Sequence, residues 1–163
     1  ISTGENVYLT DVLHGAVTKY KVRSYEFKGY VKNINSIESY FETSMDMLNE
    51  SHIREVFFGE NLIRTKVKDE TPTYYSPDSK VTNSLIANGS IIEGTVTNSI
   101  IFRRVTVAKG AEIRDSVIMQ NGEIRANCHL DNVITDKQVI LTENTELKGS
   151  PNNPLVVNKG AVL

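Results

Sequence analysis

The chain has 163 residues, of which 39% are hydrophobic and 23% are charged, and its net charge is −2. This composition is typical of a folded globular protein, and the length allows a core in one or two small domains. The charge argues against a nucleic-acid surface, which needs a basic stripe. No apolar run approaches the roughly 20 residues that span a bilayer, so we expect neither nucleic acid nor a membrane among the partners.

The chain contains one cysteine, Cys128. A single cysteine excludes an internal disulfide framework and a cysteine-rich zinc site. We expect a buried, inert thiol and a cytoplasmic protein. Because the chain opens at Ile1 without a methionine, we also expect it to be a piece of a longer protein.

The first 60 residues predict helices and one strand. Residues 7–17 are predicted to be helical, with Leu9, Val12, Leu13 and Ala16 on one side. Residues 21–27 are strand-like and Gly29 turns the chain. A clear helix follows, whose apolar face carries Ile37, Tyr40, Phe41, Met45 and Leu48.

Local signals place the ends of these helices. Asn35 is expected to cap the long helix, with Glu38 completing a capping box. A shorter helix is predicted for residues 51–58 and ends at Gly59. Residues 61–79, which include Pro72 and Pro77, read as a crossing to the second half, with 65–67 as a candidate early strand. Since helix, strand and helix are too few for a complete α/β domain, we expect residues 1–60 to be the closing edge of one and 61–163 to be a separate domain.

The second half repeats a short phrase. N-S-L-I, N-S-I-I, D-S-V-I and D-N-V-I begin at Asn83, Asn98, Asp115 and Asp131, at intervals of 15, 17 and 16 residues. Inside each interval aliphatic residues recur every six positions, at 86 and 92, at 101, 107 and 113, at 118, 124 and 130, and at 134 and 140. A six-residue step does not fit an amphipathic helix. It predicts a mostly β protein built on a left-handed parallel β-helix, with three short strands per triangular coil and the aliphatic residues inside.

Smaller features support the same coil. Ser90, Ala111, Gly122 and Cys128 are predicted to be small inward residues near the corners. Glycines at 89, 94 and 110 are expected to allow unusual backbone angles in the turns. Intervals shorter than eighteen predict clipped corners. The tail from Pro151 onward fits either a last partial coil or an interface, and the sequence leaves both open.

Three segments resemble the bacterial ADP-glucose pyrophosphorylase (glucose-1-phosphate adenylyltransferase) family. Residues 25–36 and 39–48 resemble the end of its catalytic domain, which reads Y-x-F-x-G-Y-W-x-D-V-G-T-I-x-S-Y-W-x-A-N-M-D-L-L. Residues 98–105 resemble its N-S-V-L-F-x-R-V signature, and 149–154 are most similar to its regulatory glycogen-biosynthesis subunit. The resemblance covers essentially the whole chain. It implies a nucleotidyltransferase domain followed by a left-handed β-helix, with this chain as the C-terminal portion.

The departures from the family pattern concern its metal site. Asn33 stands where the resemblance implies a magnesium-binding aspartate, Val31 replaces a tryptophan and Asn35 replaces a glycine. An amide brings no negative charge to a Mg²⁺ site, and phosphoryl-type transfer depends on that electrostatic stabilisation. A further family motif, D-F-G-x-D, corresponds to residues 7–11 and keeps only Asp11. We interpret the site as decayed, without catalytic or metal-binding residues in this chain; the alternative is that Asn33 is a loop residue and another acid binds the metal.

Histidines offer a rival hypothesis. Hexapeptide acyltransferases also carry a β-helix and use a histidine as general base. His129 follows the inward Cys128 and should point outward, where such a base could lie. His14 and His52 lack metal-ligand spacing to another histidine or cysteine, so structural or surface roles are expected for both.

Basic residues on the coils suggest an effector site. These residues are Arg103, Arg104, Lys109, Arg114 and Arg125. The resemblance implies that phosphorylated metabolites bind where the β-helix meets the catalytic domain, and arginine suits phosphate oxygens. Arg103 and Arg104 are the best candidates. The alternative is a solvated surface of mixed charge, because acidic residues are interspersed.

These observations predict a regulatory, non-catalytic subunit of glucose-1-phosphate adenylyltransferase in glycogen biosynthesis. The resemblance implies a hetero-oligomer, expected to be a tetramer, with a catalytic subunit that binds Mg²⁺, and a sugar-phosphate effector. The chain alone is expected to be inactive and to hold no cofactor. The alternatives are a competent sugar-phosphate nucleotidyltransferase subunit and a hexapeptide-repeat acyltransferase.

Overall fold

The computed structural model describes residues 8–59, 63 and 67–163. Within them the helices are α1 (Leu9–Val17), α2 (Ile37–Asp46) and α3 (Glu50–Phe57). The strands are β1 (Tyr74–Tyr75), β2 (Lys80–Thr82), β3 (Leu85–Ile86), β4 (Ile91–Ile92), β5 (Thr95–Thr97), β6 (Ile100–Ile101), β7 (Thr106–Val107), β8 (Glu112–Arg114), β9 (Val117–Ile118), β10 (Glu123–Ile124), β11 (His129–Asp131), β12 (Val133–Thr135), β13 (Ile140–Leu141), β14 (Glu146–Lys148) and β15 (Leu155–Val157). The described part is therefore mostly β.

Each strand pairs in parallel with the strand three places along the chain. Sheet A has the order β1-β4-β7-β10-β13, sheet B the order β14-β11-β8-β5-β2, and sheet C the order β15-β12-β9-β6-β3. The chain visits A, B and C in turn and then returns to A, so the three sheets form the sides of a solenoid. This confirms the predicted three-sided parallel β-helix of hexapeptide repeats.

The predicted aliphatic ladder fills the solenoid. Its fully buried members are Ile92, Ile101, Val107, Ile113, Ile118, Ile124 and Leu130, and Ile86 packs partly buried against them. Each such side chain contributes roughly 1.5–3 kcal/mol by leaving water. The predicted small residues are buried too, namely Ser90, Ala111, Gly122 and Cys128. The thiol of Cys128 is free, as expected.

The fourth repeat is shifted by one residue from the predicted alignment. Ile134 pairs with Val117 and Thr135 with Ile118, so the phrase starts at Asn132 rather than Asp131. Because strand side chains alternate between faces, Thr135 points into the core and Ile134 points out, opposite to the prediction. Ile140 likewise points outward, and its neighbour Leu141 is buried. Because Thr135 is polar, the aliphatic pattern did not mark it as an inward residue. The sequence therefore aligned the fourth repeat one residue too early.

The corners explain why each phrase begins with Asn or Asp. Among the described residues, nine that are not glycine have a left-handed backbone with φ between 45° and 63°, and all lie in corners: Asn83, Asn98, Arg104, Asp115, Asn121, Asn127, Asn132, Gln138 and Asn144. Asn and Asp adopt this conformation more readily than other side chains. The following serines form a second ladder. Ser116 N–H donates to Ser99 Oγ at 3.0 Å, and Val133 N–H donates to Ser116 Oγ at 3.0 Å.

Departures from a constant coil length occur in the corners. Only Glu93 and Gly94 separate β4 from β5, whereas four residues separate β7 from β8, which makes one coil shorter, as predicted. A Cβ on Gly94 would lie 2.4 Å from the Ala111 carbonyl oxygen. Gly89 and Gly110 have φ of 81° and 80°, as expected, but Gly94 is needed for this close approach and not for its backbone angle.

The tail forms a last partial coil, one of the two alternatives that the sequence left open. β15 pairs with β12, with Val133 opposite Leu155, and Val162 bridges to Ile140. A hairpin interrupts the corner before β15. In it Ser150 N–H donates to Asn153 O at 3.1 Å and Asn153 N–H donates back at 3.0 Å.

Helix α2 packs on the outer face of sheet C. Phe41, 4% exposed, forms a cluster with Val117 and Ile134. The predicted cap was wrong: Ser36 is the N-cap, its Oγ accepts from Ser39 N–H at 3.1 Å, and Ser39 Oγ accepts from Ser36 N–H at 2.9 Å. A serine pair therefore replaces the expected Asn35 and Glu38, and α2 starts one residue later.

The rest of the first half is more open. Helix α1 forms as predicted but buries no residue, and α3 matches the predicted short helix. Residues 21–27 form no strand, because a strand needs a neighbour for its backbone hydrogen bonds and none lies beside it in the described ranges. Residues 7, 65 and 66 and the expected boundary at 60–61 lie outside the described residues. In the described part, no helix is long and apolar enough to cross a bilayer.

Candidate functional site

A polar network joins residues 29–32 to the C-terminal half of α2, within the two segments that resemble the end of the catalytic domain. Tyr30 Oη donates to Asp46 Oδ2 at 2.9 Å. The Lys32 ammonium lies 2.9 Å from Asp46 Oδ2 and 2.7 Å from Glu42 Oε1. The Gly29–Tyr30 turn and the C-terminal end of α2 are thereby fixed to each other.

Helix α3 holds the same segment from another side. The rings of Tyr30 and His52 stack with centroids 4.7 Å apart, and His52 Nδ1 lies 3.2 Å from the Asp46 carbonyl oxygen. Tyr30 N–H donates to Glu55 Oε1 at 2.5 Å. A Cβ on Gly29 would lie 2.8 Å from that oxygen, so glycine permits the approach. His52 has the structural role that was expected of it.

Charge pairing shifts the titration of this network. The hydrogen bonds to Glu42 and Asp46 raise the pKa of Lys32 above its ordinary value. Burial raises the pKa of Asp46, but hydrogen bonds from Lys32 and Tyr30 outweigh it, so this pKa lies below its ordinary value. Burial and the hydrogen bond to Asp46 raise the pKa of Tyr30. The lysine and the aspartate are therefore both charged at neutral pH.

The three predicted degenerate positions lie on one exposed stretch before α2. Val31 is 71% exposed, and Asn33 and Asn35 are exposed as well. The Asn35 N–H donates to Ser39 Oγ at 3.1 Å and so supports the start of α2. Their roles at a former substrate site stay predictions.

The described residues near this stretch do not fit a magnesium ion. Asn33 supplies a neutral amide, and the two carboxylates of α2 that reach the segment, Glu42 and Asp46, are both bound to the Lys32 ammonium. Mg²⁺ requires hard oxygen ligands in octahedral geometry and is usually held by carboxylates. Over the described ranges no three His, Cys, Asp or Glu side chains are placed to hold a metal ion.

Arg103 and Arg104 lie in the corner between β6 and β7. The Arg104 Nε donates to Glu70 Oε2 at 2.8 Å, and the Glu70 side chain is only 9% exposed. Gly89 N–H, in the corner between β3 and β4, donates to Thr71 O at 2.7 Å, so the two corners together hold the segment before β1 against the coils. Arg103 is half-buried, and the effector role of both arginines stays a prediction. Sequence reasoning missed Glu70, because 34 residues separate it from Arg104 and no motif links them.

The other histidines lie apart from this region. His129 points outward from sheet B, as expected, and its Nδ1 lies 3.7 Å from Glu112 Oε2. His14 is exposed on α1. The structure therefore brings none of the three histidines together.

The coils define a class of protein: three-sided parallel β-helices built from hexapeptide repeats. A family model described as "GlmU-like, C-terminal hexapeptide" matches residues 71–152, half of the chain. The chain belongs to this GlmU-like C-terminal hexapeptide family.

Curated relatives extend the similarity into the helices. The chain is 44% identical over 138 residues to the glycogen biosynthesis protein GlgD of Bacillus subtilis, a match that covers 85% of this chain and 40% of the relative. It is 31% identical over 137 residues to a glucose-1-phosphate adenylyltransferase of Bacillus cytotoxicus, which covers 84% and 36%. The corresponding enzyme of Bacillus anthracis is 30% identical over 132 residues, which covers 81% and 35%. The chain thus spans well under half the length of these relatives.

Proposed function

We propose that this chain is the C-terminal part of a regulatory, non-catalytic subunit of a glucose-1-phosphate adenylyltransferase in glycogen biosynthesis. The observation that carries the proposal is the Lys32 ammonium between Glu42 and Asp46, beside the neutral Asn33. The greater identity to the glycogen biosynthesis protein than to the adenylyltransferases supports it.

The electrostatics of the segment oppose adenylyl transfer by this chain. Transfer from a nucleoside triphosphate needs a divalent cation that neutralises charge on the phosphates. At the position of the expected ligand the chain has an amide, and the neighbouring acids are already neutralised by Lys32. Mg²⁺ and the chemistry it supplies are assigned to the catalytic partner.

Helix α2 supports a regulatory role because it contacts both halves of the described chain. One side of it binds Tyr30 and Lys32 through Asp46. The other side packs Phe41 on Val117 and Ile134 of the solenoid. A displacement of the coils would therefore be transmitted to the nucleotidyltransferase-like segment.

We propose, first, that residues 1–60 form the edge of a nucleotidyltransferase-like domain. We propose, second, that the chain belongs to a hetero-oligomer with the catalytic subunit, expected to be a tetramer. The apolar side chains of α1 support the first point, since Leu9, Val12 and Leu13 are 73%, 56% and 52% exposed and suit burial against further structure. The free, buried Cys128 suits the reducing cytoplasm.

The deciding experiment measures turnover of the full-length subunit with Mg²⁺, ATP and glucose-1-phosphate, alone and mixed with the catalytic subunit. We expect no turnover alone and a changed rate or effector response in the mixture. Robust turnover by the isolated subunit would contradict the proposal and favour a competent nucleotidyltransferase.

The effector site is tested with single arginine variants. Arg103→Ala should weaken activation of the mixed complex by sugar phosphates and leave its assembly intact. Arg104→Ala should also loosen the segment around Glu70, so Glu70→Gln is its structural control. Lys80→Ala, on β2 of sheet B, removes one exposed positive charge elsewhere and should have no effect. If Arg103→Ala behaves like Lys80→Ala, the arginine belongs to an ordinary mixed-charge surface.

A further inference from the structure

The outer face of sheet B carries an ordered pattern of charge. Strands β8, β11 and β14 each present two outward side chains on either side of an inward residue. These three rows are Glu112 with Arg114, His129 with Asp131, and Glu146 with Lys148. Every row thus combines an acidic side chain with a basic one.

The strand register arranges the rows into two columns. His129 lies beside Glu112 in one neighbouring strand and beside Glu146 in the other. Asp131 lies between Arg114 and Lys148 in the same way. Neighbouring strands are about 4.8 Å apart, so acidic and basic groups alternate both along the strands and across them.

Contacts within this face leave the charged groups available. His129 Nδ1 and Glu112 Oε2 are 3.7 Å apart, and Lys148 Nζ and Asp131 Oδ2 are 3.8 Å apart. The Lys148 and Glu112 side chains are 80% and 57% exposed. Exposed pairs of this kind contribute little to stability. Helix α2 covers sheet C and leaves sheet B open over the described part of the chain.

We propose that this face of sheet B binds a second copy of the chain about a two-fold axis parallel to the axis of the solenoid. Such a rotation brings each row of one copy opposite the same row of the other copy. It also brings the first column of one copy opposite the second column of the other. Glu112 then faces Arg114 of the second copy, and Glu146 faces Lys148. His129 faces Asp131 and can donate a hydrogen bond to it in either protonation state.

The pattern selects this axis. A two-fold axis along the direction of β11 would place Glu112 opposite Glu146 and Arg114 opposite Lys148, and like charges disfavour such a contact. The parallel axis creates each attractive pair twice, as an isologous interface requires. Because the groups are hydrophilic and stay near solvent, the dimer weakens as salt screens them.

This self-association needs only the present chain. It goes beyond the proposed function, and either can fail without the other. An inactive subunit that stays monomeric would remove the dimer alone, whereas a dimer with independent turnover would remove the regulatory proposal alone.

The test is sedimentation velocity of the full chain over a range of concentrations, at low and at high salt. We expect a concentration-dependent dimer whose dissociation constant rises with salt. Glu112→Arg makes one row doubly positive and Arg114→Glu makes it doubly negative, so each should weaken the dimer by about tenfold. Lys159→Glu, in a corner away from this face, changes the net charge as Arg114→Glu does and should leave the dimer unchanged.

Two further samples make the test specific for the geometry. The double variant Glu112→Arg, Arg114→Glu exchanges the charges within the row and should restore the dimer. An equimolar mixture of the two single variants should form mixed dimers, visible by native mass spectrometry. A chain that stays monomeric at millimolar concentration and low salt overturns the proposal. Single variants that associate like the unchanged chain, or a mixture without mixed dimers, overturn it as well.

Discussion

Gly94 lies where two successive coils approach each other closely. A methyl group there would lie 2.4 Å from the Ala111 carbonyl oxygen and 2.8 Å from the Ala108 carbonyl oxygen. Both obstacles are backbone atoms of the next coil, which cannot rotate away as a side chain can. We expect Gly94→Ala to lower the free energy of unfolding by about 1–3 kcal/mol, as measured by denaturant titration.

Gly15→Ala is the matched control, because nothing lies within 4 Å of a Cβ at that position. Alanine is also a better helix former than glycine. This change should not lower the unfolding midpoint. Equal destabilisation by both substitutions would contradict the assignment of the effect to the coil contact.

Thr135 carries the one buried side-chain polar atom without a hydrogen-bond partner that the described residues contain. Its side chain lies between the inward positions of Ile118 and Val157. A buried hydroxyl without a partner loses its hydration and gains nothing in return. We expect Thr135→Val to raise the free energy of unfolding by about 1 kcal/mol.

Thermal and denaturant unfolding measure this effect, with Thr106→Val on the outer face of sheet A as the comparison. Thr106 is half-exposed, so its substitution should change stability by less than about 0.5 kcal/mol. Destabilisation by Thr135→Val would show that the hydroxyl has a favourable role.

At the scale of elements, the link between Tyr30, Lys32 and α2 should depend on pH. The folded-state pKa of Asp46 is lowered, so its stabilisation is present above the pKa of the unfolded chain and is lost as the pH falls through the lower folded value. Lys32 has a raised pKa in the folded state. Its stabilisation of the fold is therefore fully present when the pH is below the pKa of Lys32 in the unfolded chain, and it is lost only as the pH rises through the raised pKa of the folded state.

We expect Asp46→Asn to remove the acid-dependent part of this stability. The measurement is hydrogen exchange of α2 amides at several values of pH, in the unchanged chain and in the variant. Glu50→Gln removes a carboxylate from an exposed pair with Arg54 and should leave the acid dependence in place. The same acid dependence in Asp46→Asn would assign it to another group.

The elements also show what could be predicted from the sequence. The six-residue aliphatic step identified the coils, because an inward ladder requires it at nearly every strand. It failed where Thr135 took an inward place and Ile134 an outward one, since Ile134 serves a second cluster under Phe41. The N-cap of α2 was missed because Ser36 and Ser39 form reciprocal hydrogen bonds. Asn and Ser are both favourable N-cap residues, so residue preferences alone do not decide between Asn35 and Ser36.

The candidate site was predictable to a smaller extent. Family similarity located Asn33, Val31 and Asn35, but the ion pairs of Lys32 depend on the turn at Gly29 and the direction of α2. The pair between Arg104 and Glu70 joins a corner to a segment outside the repeats. Such contacts follow from three-dimensional packing and leave no periodic trace in the sequence.

On the scale of the whole molecule, α2 is the link between the first half and the solenoid. Phe41 is 4% exposed and contacts the buried outward residues Val117 and Ile134. Truncation of a buried phenylalanine typically costs about 3–5 kcal/mol. We expect Phe41→Ala to release α2 while the coils, whose own core is separate, remain folded.

Hydrogen exchange distinguishes these outcomes. Amides of α2 and α3 should lose protection in Phe41→Ala, whereas those of β7 to β13 should keep it. Phe58→Ala is the control, since Phe58 is 74% exposed. Uniform loss of protection across the coils would mean that the helices and the solenoid unfold as one unit.

The 17-residue spacing between aligned strands such as β7, β10 and β13 has a consequence for how the chain can change length. Duplication or deletion of one 17-residue unit brings every left-handed corner, hydrogen-bonded serine and inward side chain back onto an equivalent position. The solenoid then gains or loses one complete coil. Within a strand, the insertion or deletion of a single residue would turn the inner residues that follow it outward. The two observed departures, the short turn at Gly94 and the hairpin at 150–153, both lie at corners. Insertions and deletions among homologous chains should therefore add or remove whole coils, or change the length of corner loops.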